Sequence, residues 1–521
     1  MLITFVGENN ALKSNIIRAI ELMFGEFHPK YKNLDDYDFY KRITSNRISI
    51  STKVSGFRTR LGRQGEFSCE GFNYAYVKGT ESSYTATQAE NGVENQYVSN
   101  NLREELLCVI VNSEQNLSFQ LSYASKYTLL SKVTKAFHDK LSSDEEKVNR
   151  LKALFEQTKQ IFLEVDEFRQ FSDSMSTISG QMMSNMTHAL GFDFSSYDPS
   201  NYFKTLKVHP SEDGQIRAFE ELGTGQQQIL ALSFAKAYSD NFLGQGMILI
   251  LDEPESHLHP IAQKWLAKQM HSLAESGLQI IITTHSPYFI NLEYLPAIYI
   301  VSKDEQTKIS NITAEEFAQF STDTGAVRAT AETILPFYAA HSKTNILSGL
   351  FAKKIVLVEG ETEELSLPII LEGVGLDVLK EGIAIIGVGG KGNLAKWWRL
   401  FTALNIPTFI CFDNDSSDDK QGLKRKESLK AIGIQDEAIE EVLTSQEWNI
   451  NDNFCVFGQN YEATMRATFS NYVNIENEVK EELGNSKPII ARAVARRLLE
   501  DNIVEEEWQK FKEVAQKIIK L

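Results

Sequence analysis

Two short apolar runs that end in acidic residues constrain the C-terminal half of this chain more than any other feature. Residues 353–364 read KKIVLVEGETEE, and the apolar run stops at Glu359. Residues 407–415 read PTFICFDND, and the second run stops at Asp413 and Asp415. Runs of this length and β-branched content predict buried parallel strands, whose carboxyl ends meet at one edge of an open α/β sheet.

The carboxylates at these strand ends predict a site for hard cations. Glu359 ends the first strand, Glu363 lies four residues later on the following helix, and Asp413 and Asp415 end the second strand. Oxygen ligands of this kind favour Mg²⁺ or Mn²⁺, and a pair of such ions can activate water and neutralise a leaving oxygen. The alternative is a solvated, Glu-rich helix start after an ordinary strand, but the presence of both motifs together weighs against it.

The two motifs together resemble the Toprim (topoisomerase–primase) fold, and residues 350–363, LFAKKIVLVEGETE, resemble one branch of it. That branch is the overcoming lysogenization defect (OLD) family, in which an ABC-type ATPase precedes a Toprim nuclease. The resemblance extends from residue 2 to about residue 499. It implies an α/β fold in which an ABC-type ATPase head with an inserted helical dimerisation arm is followed by a Rossmann-like Toprim domain.

The resemblance also implies two further site residues. Family members carry an acidic metal ligand after a later strand, and Glu462, which follows the strand-like residues 454–457, matches it. Lys487 matches the lysine that the family uses opposite the metals to stabilise charge on the phosphate. A plain surface lysine remains the alternative, because one Lys before a helix is common. The implied two-metal scheme assigns one cation to Glu359, Glu363 and Glu462, and the other to Asp413 and Asp415.

A glycine-rich segment lies between the two acidic strand ends. Residues 389–392, GGKG, follow a predicted strand over residues 383–388. They could approach a phosphate backbone with Lys391 as a point charge, but a tight turn is the preferred interpretation.

A phosphate-binding loop is predicted at the start of the chain. The strand-like residues 2–6, LITFV, lead into residues 7–14, GENNALKS, at the spacing of a loop that wraps phosphates with backbone N–H groups. Where that pattern has glycine before Lys13, this chain has Leu12, whose Cβ disfavours a positive φ. We therefore expect nucleotide affinity to be weakened or lost, and hydrolysis stays open. The residues assigned to nucleotide binding here are Gly7, Asn10, Lys13 and Ser14.

Three further segments complete the predicted ATPase. Residues 221–228, ELGTGQQQ, look like the ABC signature, and residues 247–255, MILILDEPE, predict a strand that ends in Walker B carboxylates. Asp252 is expected to hold Mg²⁺, and Glu253 to orient or deprotonate the attacking water. His285 follows the next apolar strand and is expected to sense the γ-phosphate. The signature contributes Gly223, Gly225 and Gln226 to the nucleotide-binding residues.

A helical insert is predicted between these ATPase segments. Residues 143–146, SDEE, read as a capping box, and one long amphipathic helix is predicted to follow. The family resemblance implies that this insert serves for dimerisation. A helix packed on its own domain is the alternative, since an apolar stripe does not specify which surface it covers. The apolar positions that recur at helical spacing are Val148, Leu151, Phe155, Phe162 and Val165.

These features predict four regions. β-Prone residues up to about residue 111, among them 48–51 and 72–77, suit the antiparallel arm of an ATPase head. The chain opens directly on its phosphate-loop strand, whereas proteins of this kind usually carry a β-meander first. The predicted regions are an ATPase N-terminal part (1–130), the helical insert (131–195), an ATPase C-terminal part (196–345) and a Toprim nuclease domain (346–521).

Composition limits the cellular setting and the partners. No apolar run is long enough to cross a bilayer, no N-terminal segment has the form of a signal peptide, and four widely spaced cysteines argue against a disulfide framework. A cytoplasmic location without membrane contact is therefore expected. The net charge of −17 is unlike that of most DNA-binding proteins. Residues 424–426 and the arginines at 492, 496 and 497 are candidates for a basic rim beside the acidic centre, although solvated helix faces explain each cluster equally well.

The preferred function is metal-dependent nicking or cleavage of DNA by the C-terminal domain, with the ATPase domain as regulator or scaffold. The expected cofactors are Mg²⁺ or Mn²⁺ in a two-metal site, with ATP as a further ligand. The resemblance implies a role in anti-phage defence and a homodimer or larger homo-oligomer. It also implies, for some family members, an additional subunit, either a helicase-like protein or a reverse transcriptase with its own DNA.

Two other classes of function remain open. A RecF-like or SMC-like ATPase would clamp DNA without cutting it, and Glu359, Asp413 and Asp415 would then be dispensable. A Toprim primase or topoisomerase would share the metal ligands. The cysteine-rich zinc module of primases and the separate tyrosine-bearing domain of topoisomerases are not evident in this sequence.

Overall fold

One inner strand of the C-terminal sheet is apolar without alternation, because both of its faces are covered. In the computed structural model, Lys354–Val358 pairs on both sides with parallel strands, and its last four side chains are fully buried. Ile355 and Leu357 pack into one apolar core, whereas Val356 and Val358 pack into another. Since both faces are covered, each of these side chains contributes about 1.5–3 kcal/mol through burial.

The described part of the chain leaves out several segments. The structure describes residues 1–8, 11–25, 27–60, 66–88, 96–105, 108–111, 121, 128–182, 208, 210–212, 215–216, 221–242, 247–303, 306–415, 419–445, 447–500 and 504–521.

The strands, in chain order, are β1 Leu2–Val6, β2 Ile48–Arg60, β3 Glu66–Tyr76, β4 Ser83–Gln88, β5 Gln96–Tyr97, β6 Cys108–Val111, β7 Ser211–Glu212, β8 Gln215–Ile216, β9 Ile248–Asp252, β10 Gln279–Thr284, β11 Ile298–Lys303, β12 Thr307–Ser310, β13 Lys354–Val358, β14 Ile383–Gly387, β15 Thr408–Asp413, β16 Asn449–Ile450 and β17 Phe454–Phe457.

The α-helices, in chain order, are α1 Lys13–Phe24, α2 Asn100–Glu105, α3 Leu129–Ser142, α4 Glu145–Leu163, α5 Asp166–Met182, α6 Thr224–Phe242, α7 Pro260–Glu275, α8 Ala314–Asp323, α9 Ala331–His341, α10 Thr344–Ser348, α11 Glu361–Gly373, α12 Leu394–Ala403, α13 Leu423–Ala431, α14 Asp436–Thr444, α15 Tyr461–Thr468, α16 Tyr472–Leu483, α17 Lys487–Glu500 and α18 Gln509–Lys520.

The C-terminal sheet has the order β14-β13-β15-β17-β16. The first four strands are parallel, and the short β16 pairs antiparallel to β17. Helix α11 begins directly after β13, and α15 follows β17. The predicted Rossmann-like arrangement is confirmed, because β13 and β15 are neighbours whose carboxyl ends lie at the same edge.

Two compact units divide the chain. The first unit comprises Met1, Ala19–Leu251 and Gln269–Ile280, and it contains the antiparallel sheet β2-β3-β4-β5 and the parallel pair β6 and β9. The antiparallel arm that the sequence predicts is therefore present.

The second unit comprises Leu2–Arg18, Asp252–Lys268 and Ile281–Leu521. In it β12, β11, β1 and β10 lie side by side in that order, and β1 pairs in parallel with β11. This unit therefore contains the phosphate loop, the Walker B carboxylates and the whole C-terminal sheet.

The helical insert differs from the prediction of one long helix. Helix α4 ends at Leu163, so Val165 lies in the turn before α5. The acidic residues at the start of α5 favour a new helix there, because they oppose the positive end of the helix dipole. The predicted capping box is also wrong. Ser143 ends α3, whereas the Asp144 side chain accepts a hydrogen bond from the Lys147 N–H at 3.1 Å and so starts α4.

Among the helices of the described ranges, none combines the length and the apolar content needed to cross a bilayer.

Candidate functional site

The two predicted strand ends meet through hydrogen bonds to their carboxylates. Glu359 Oε1 accepts the backbone N–H of Asp413 at 2.7 Å. Asp413 Oδ1 accepts the N–H of Tyr461, the first residue of α15, at 2.8 Å. Glu363 Oε2 accepts the N–H of Gly360 at 3.2 Å. Backbone donors at a strand end and at two helix starts therefore orient three of the predicted carboxylates.

Burial and mutual repulsion raise the pKa of these three carboxyl groups. Burial first, and then the charges of Glu363 and Asp415, raise the pKa of Glu359 to about 8. Burial raises the pKa of Asp413 to about 9, and the negative charges of Glu359 and Glu363 contribute to this rise. Burial raises the pKa of Glu363 to about 7, and the negative charge of Glu462 contributes to this rise. The cluster therefore lacks positive charge, which a bound cation would supply.

Lys391 supplies part of that positive charge. Its ammonium group contacts the side chain of Asp415, lies 3.2 Å from the Asp415 carbonyl oxygen and 3.8 Å from Glu359 Oε1. The side chain is only 3% exposed. Gly389 and Gly390 precede it with φ of +76° and +117°, so the predicted tight turn is present. The turn also directs its lysine into the acidic cluster, a contact that the sequence did not predict.

The spacing of the carboxylates bears on metal binding. In the part of the chain that the structure describes, no three Asp, Glu, His or Cys side chains have the spacing to hold a metal ion. Backbone N–H groups and Lys391 engage the oxygens of Glu359, Asp413 and Asp415 instead. The donor set itself consists of hard carboxylate oxygens, which fits a divalent cation of the magnesium type. Metal binding would therefore require these side chains to exchange internal donors for the ion.

The two residues assigned by resemblance lie beside each other. Lys487 Nζ is 3.8 Å from Glu462 Oε1, and the lysine side chain is 79% exposed. The charge of Glu462 also contributes to the raised pKa of Glu363 and of Asp413. Glu462 thus belongs electrostatically to the carboxylate cluster, and Lys487 lies at its solvent side. Their roles as ligand and as charge stabiliser remain predictions.

Arg425, one of the residues considered for a basic rim beside the acidic centre, has a structural role instead. Arg425 is 6% exposed and donates to Asp419 Oδ2 at 3.1 Å and to Asn414 Oδ1 at 2.8 Å. The Asn414 amide in turn donates to the carbonyl of Ser445 at 2.7 Å. Since Asn414 separates the two aspartates of the DND motif, Arg425 fixes that loop and is unavailable to bind a phosphate backbone. The prediction that it forms part of a basic rim is therefore wrong.

The described residues of the phosphate loop include a leucine with a positive φ. Leu12 adopts φ of +68°, the left-handed conformation that the sequence analysis expected its Cβ to disfavour. Lys13 is 5% exposed and donates to the carbonyls of Gly7 and Glu8, both at 3.0 Å. A Cβ at Gly7 would collide with the carbonyl oxygen of Val301. Ser14 is exposed in the first turn of α1, and Asn10 lies outside the described residues.

The Walker B carboxylates lie next to His285, the predicted switch histidine that would sense the γ-phosphate. His285 Nε2 is 3.3 Å from Glu253 Oε1, and the Thr283 hydroxyl donates to Asp252. Burial lowers the pKa of Lys13, and the charges of Glu253 and Asp252 oppose that shift. The loop lysine, both Walker B carboxylates and His285 are therefore neighbours, as their predicted roles require. Glu253 has a φ of +49°, a strained conformation of the kind found at functional sites.

Glu255 also lies in this site, although the sequence predicted no role for it. It is 9% exposed, and its Oε1 accepts the Thr284 hydroxyl at 2.8 Å and the His285 N–H at 2.5 Å. Burial raises its pKa. Glu255 therefore holds the backbone before the switch histidine, and its position two residues after Glu253 is the only sequence signal for it.

The signature segment lies in the first unit. Gly223 and Gln226 are exposed, and α6 begins between them at Thr224. The Gln227 side chain donates to the carbonyl of Leu222 at 2.9 Å and the Gln226 N–H to that of Gly223 at 2.9 Å. These bonds form the helix start that the sequence predicts around Gly225.

Comparisons with known proteins match both halves of the chain. The family model described as overcoming lysogenization defect protein-like, TOPRIM domain, matches residues 350–415, and the model described as AAA ATPase domain matches residues 71–290.

Three curated relatives carry nuclease names. An OLD nuclease of Thermus scotoductus is 25% identical over 455 residues, which cover 82% of this chain and 82% of the relative. The Old nuclease of Escherichia phage P2 is 27% identical over 220 residues, covering 40% of this chain and 36% of the relative. Endonuclease GajA of Bacillus cereus is 22% identical over 457 residues, covering 82% of this chain and 72% of the relative.

Proposed function

We propose that this chain is a member of the overcoming lysogenization defect (OLD) family, with an ATPase domain before an OLD-like Toprim nuclease domain, and that it cleaves DNA at the carboxylate cluster around Glu359 and Asp413. The observation that carries this proposal is the hydrogen bond from the Asp413 N–H to Glu359 Oε1 at 2.7 Å. It brings the acidic ends of β13 and β15 to one point. A DNA clamp that does not cut would have no use for carboxyl groups held so close together.

The cluster would use divalent cations. Glu359, Glu363 and Glu462 would bind one ion and Asp413 with Asp415 the other, and Mg²⁺ or Mn²⁺ is the best fit to an all-oxygen donor set. Bound ions of this kind supply Lewis-acid chemistry, which makes water a better nucleophile and neutralises the leaving oxygen.

The protein groups around the cluster have roles of their own. The N–H groups of Asp413 and Tyr461 keep Glu359 and Asp413 oriented towards one another. Lys391 holds Asp415. Lys487, exposed beside Glu462, is available to stabilise negative charge on the phosphate of an approaching DNA strand.

The ATPase domain would organise or regulate the nuclease. Asp252 and Glu253 would act on Mg²⁺ and water, and His285 would sense the γ-phosphate. The strained Leu12 favours weak nucleotide binding with little turnover. Gly223, Gly225 and Gln226 would contact nucleotide held by a second copy of the chain, as the ABC signature does.

We also propose that the helical insert forms a homo-oligomer. Its helices α4 and α5 expose large apolar side chains, Leu154 by 56%, Ile161 by 63% and Phe171 by 58%. Exposed apolar residues on one arm are typical of an interaction surface. A cytoplasmic role in anti-phage defence, alone or with a helicase-like or reverse transcriptase subunit, is the biological setting that the family implies.

A plasmid cleavage assay tests the nuclease proposal. Supercoiled plasmid is incubated with Mg²⁺ or Mn²⁺ and with the wild type, Glu359→Gln, Asp413→Asn or Glu361→Gln. Glu361 is an exposed residue at the start of α11 and serves as the matched control. We expect the wild type and Glu361→Gln to nick or cut the plasmid, and the other two variants to lose at least about 100-fold in rate, because each loses a ligand of the proposed centre. Undiminished cutting by Glu359→Gln and Asp413→Asn would exclude it.

A further inference from the structure

Lys396 is a buried cation with no anionic partner among the residues that the structure describes. It lies in α12, which begins directly after the turn that carries Lys391, and it is 7% exposed. Its Nζ is 4.2 Å from the ring centroid of Phe337, 4.7 Å from that of Trp397 and 5.4 Å from that of Tyr338. Within the described ranges, no carboxylate lies within ion-pair distance of this ammonium group, and burial lowers its pKa to about 8.

Burying the Lys396 ammonium group without an anion costs free energy, which a bound anion would offset. Charged groups in protein interiors are normally paired, because an unpaired buried charge loses its hydration without compensation. Aromatic faces offset only part of that loss. The environment of Lys396 therefore fits an anion from outside the chain.

The space for such an anion is a cavity of about 450 Å³ that Lys396 lines. Ser321, which also lines it, is 1% exposed, and its hydroxyl oxygen has no hydrogen-bond partner among the described residues. The neighbouring Arg399 is already engaged by Glu427 at 3.0 Å and by the Thr324 hydroxyl at 3.1 Å. Among the described residues that line the cavity, Lys396 thus has no anionic partner and the buried Ser321 hydroxyl has no hydrogen-bond partner.

The apolar part of the cavity indicates the rest of the ligand. The Phe337 ring is 50% exposed, and Ile334 and Ala329 continue the apolar lining. A planar ring can stack on an exposed aromatic face, and a volume of about 450 Å³ lies in the range of small-ligand pockets, about 300–1,000 Å³. An anion that carries a planar aromatic body is the matching class.

We propose that this cavity binds the monophosphate group of a nucleotide, with Lys396 and the Ser321 hydroxyl on the phosphate and the Phe337 ring against the base. A free mononucleotide and the 5′-phosphorylated end of a DNA strand both carry a monophosphate group next to a base, so either could be the ligand. Gly392 and Asn393, which adjoin Lys391, also line the cavity, so the ligand would contact the turn that enters the carboxylate cluster. The binding site itself does not depend on DNA cleavage.

Isothermal titration of the full-length chain without divalent ions tests this site. All titrations use the Lys13→Ala background, so that the phosphate loop does not contribute. The probes are AMP, adenosine, and a short single strand with and without a 5′-phosphate. We expect AMP or the phosphorylated strand to bind at least tenfold more tightly than its unphosphorylated counterpart, and the tighter of the two identifies the source. Failure of both phosphorylated probes to bind would overturn the proposal.

Two variants and one chemical measurement assign the binding to Lys396. Lys396→Met should weaken phosphate-dependent binding at least tenfold, whereas Lys380→Met, at an exposed lysine outside the cavity, should not change it. Equal binding by Lys396→Met would contradict the assignment. Amine-reactive labelling at pH 8, read by peptide mass spectrometry, needs no variant. Lys396 should react more slowly when AMP is present, and an unchanged labelling rate would also overturn the proposal.

Discussion

Asp413 donates its backbone N–H to the side chain of Glu359 across 54 residues of sequence. This bond joins the carboxyl ends of two neighbouring parallel strands, and it brings together carboxyl groups that repel one another. The proposed nuclease centre depends on that proximity, because protons, Lys391 or added cations relieve the repulsion between these carboxylates.

Divalent ions should stabilise the protein more at high pH than at low pH. Glu359 and Asp413 have pKa values of about 8 and about 9 in the folded protein, well above their ordinary values. The folded chain therefore binds more protons than the unfolded chain between about pH 4 and pH 9, and the stability of the metal-free protein falls as pH rises through that window. Below about pH 8, protons on these carboxyl groups compete with the ion.

Thermal unfolding with and without Mg²⁺, at pH 6 and pH 8.5, measures this effect. We expect Mg²⁺ to raise the midpoint by several degrees at pH 8.5 and by less at pH 6, since about 1 kcal/mol corresponds to roughly 2–4 °C in a domain of this size. The Asp413→Asn variant should show a weaker pH dependence, because only the raised pKa of Asp413 is removed and that of Glu359 remains. An equal Mg²⁺ effect at both pH values would be inconsistent with these raised pKa values.

Lys391 should hold the metal-free cluster together. Lys391→Met removes the buried cation that contacts Asp415, and we expect it to lower the free energy of unfolding by about 2–3 kcal/mol. That is less than for a fully buried pair, because the Asp415 side chain is 25% exposed. Urea unfolding measures the loss, and Mg²⁺ should restore part of it. Lys420→Met, at an exposed lysine, is the control. Equal stability of both variants would argue against this role.

Some of these features could be predicted from sequence and others could not. Apolar runs ending in Glu359 and Asp413 predicted adjacent buried strands, because only a strand covered on both faces is apolar without alternation. The burial of Lys391 and of Arg425 was not predictable. Both belong to polar segments, and their partners Asp415 and Asn414 are brought to them by the fold of the loops. The break in the insert at Val165 was missed because an apolar residue at helical spacing does not reveal where a helix ends.

The phosphate loop should turn over ATP slowly, and its leucine should be the cause. We expect Lys13→Ala to change ATP hydrolysis little, because Leu12 already strains the loop at φ of +68°. A left-handed conformation costs a non-glycine residue about 1–2 kcal/mol, so Leu12→Gly should increase the affinity for a fluorescent ATP analogue. Robust hydrolysis by the wild type that Lys13→Ala abolishes would show this expectation to be wrong.

The exposed apolar residues of the insert should mediate self-association. A Leu154→Glu, Ile161→Glu double variant places charge on α4 where these side chains are exposed, and we expect its mass by light scattering to fall to that of a monomer. Lys152→Glu, an exposed position on the same helix, should keep the wild-type mass. If the double variant retains that mass, the insert is not the site of association.

The most direct test of the central claim is the position of Mn²⁺ in crystals of the full-length protein, read from anomalous scattering. The account predicts anomalous peaks within ligand distance, about 2–2.5 Å, of the Glu359 and Asp413 carboxylates, with the Lys391 ammonium displaced from Asp415. Crystals soaked under conditions that support DNA cleavage, but with no Mn²⁺ at these carboxylates, would contradict it.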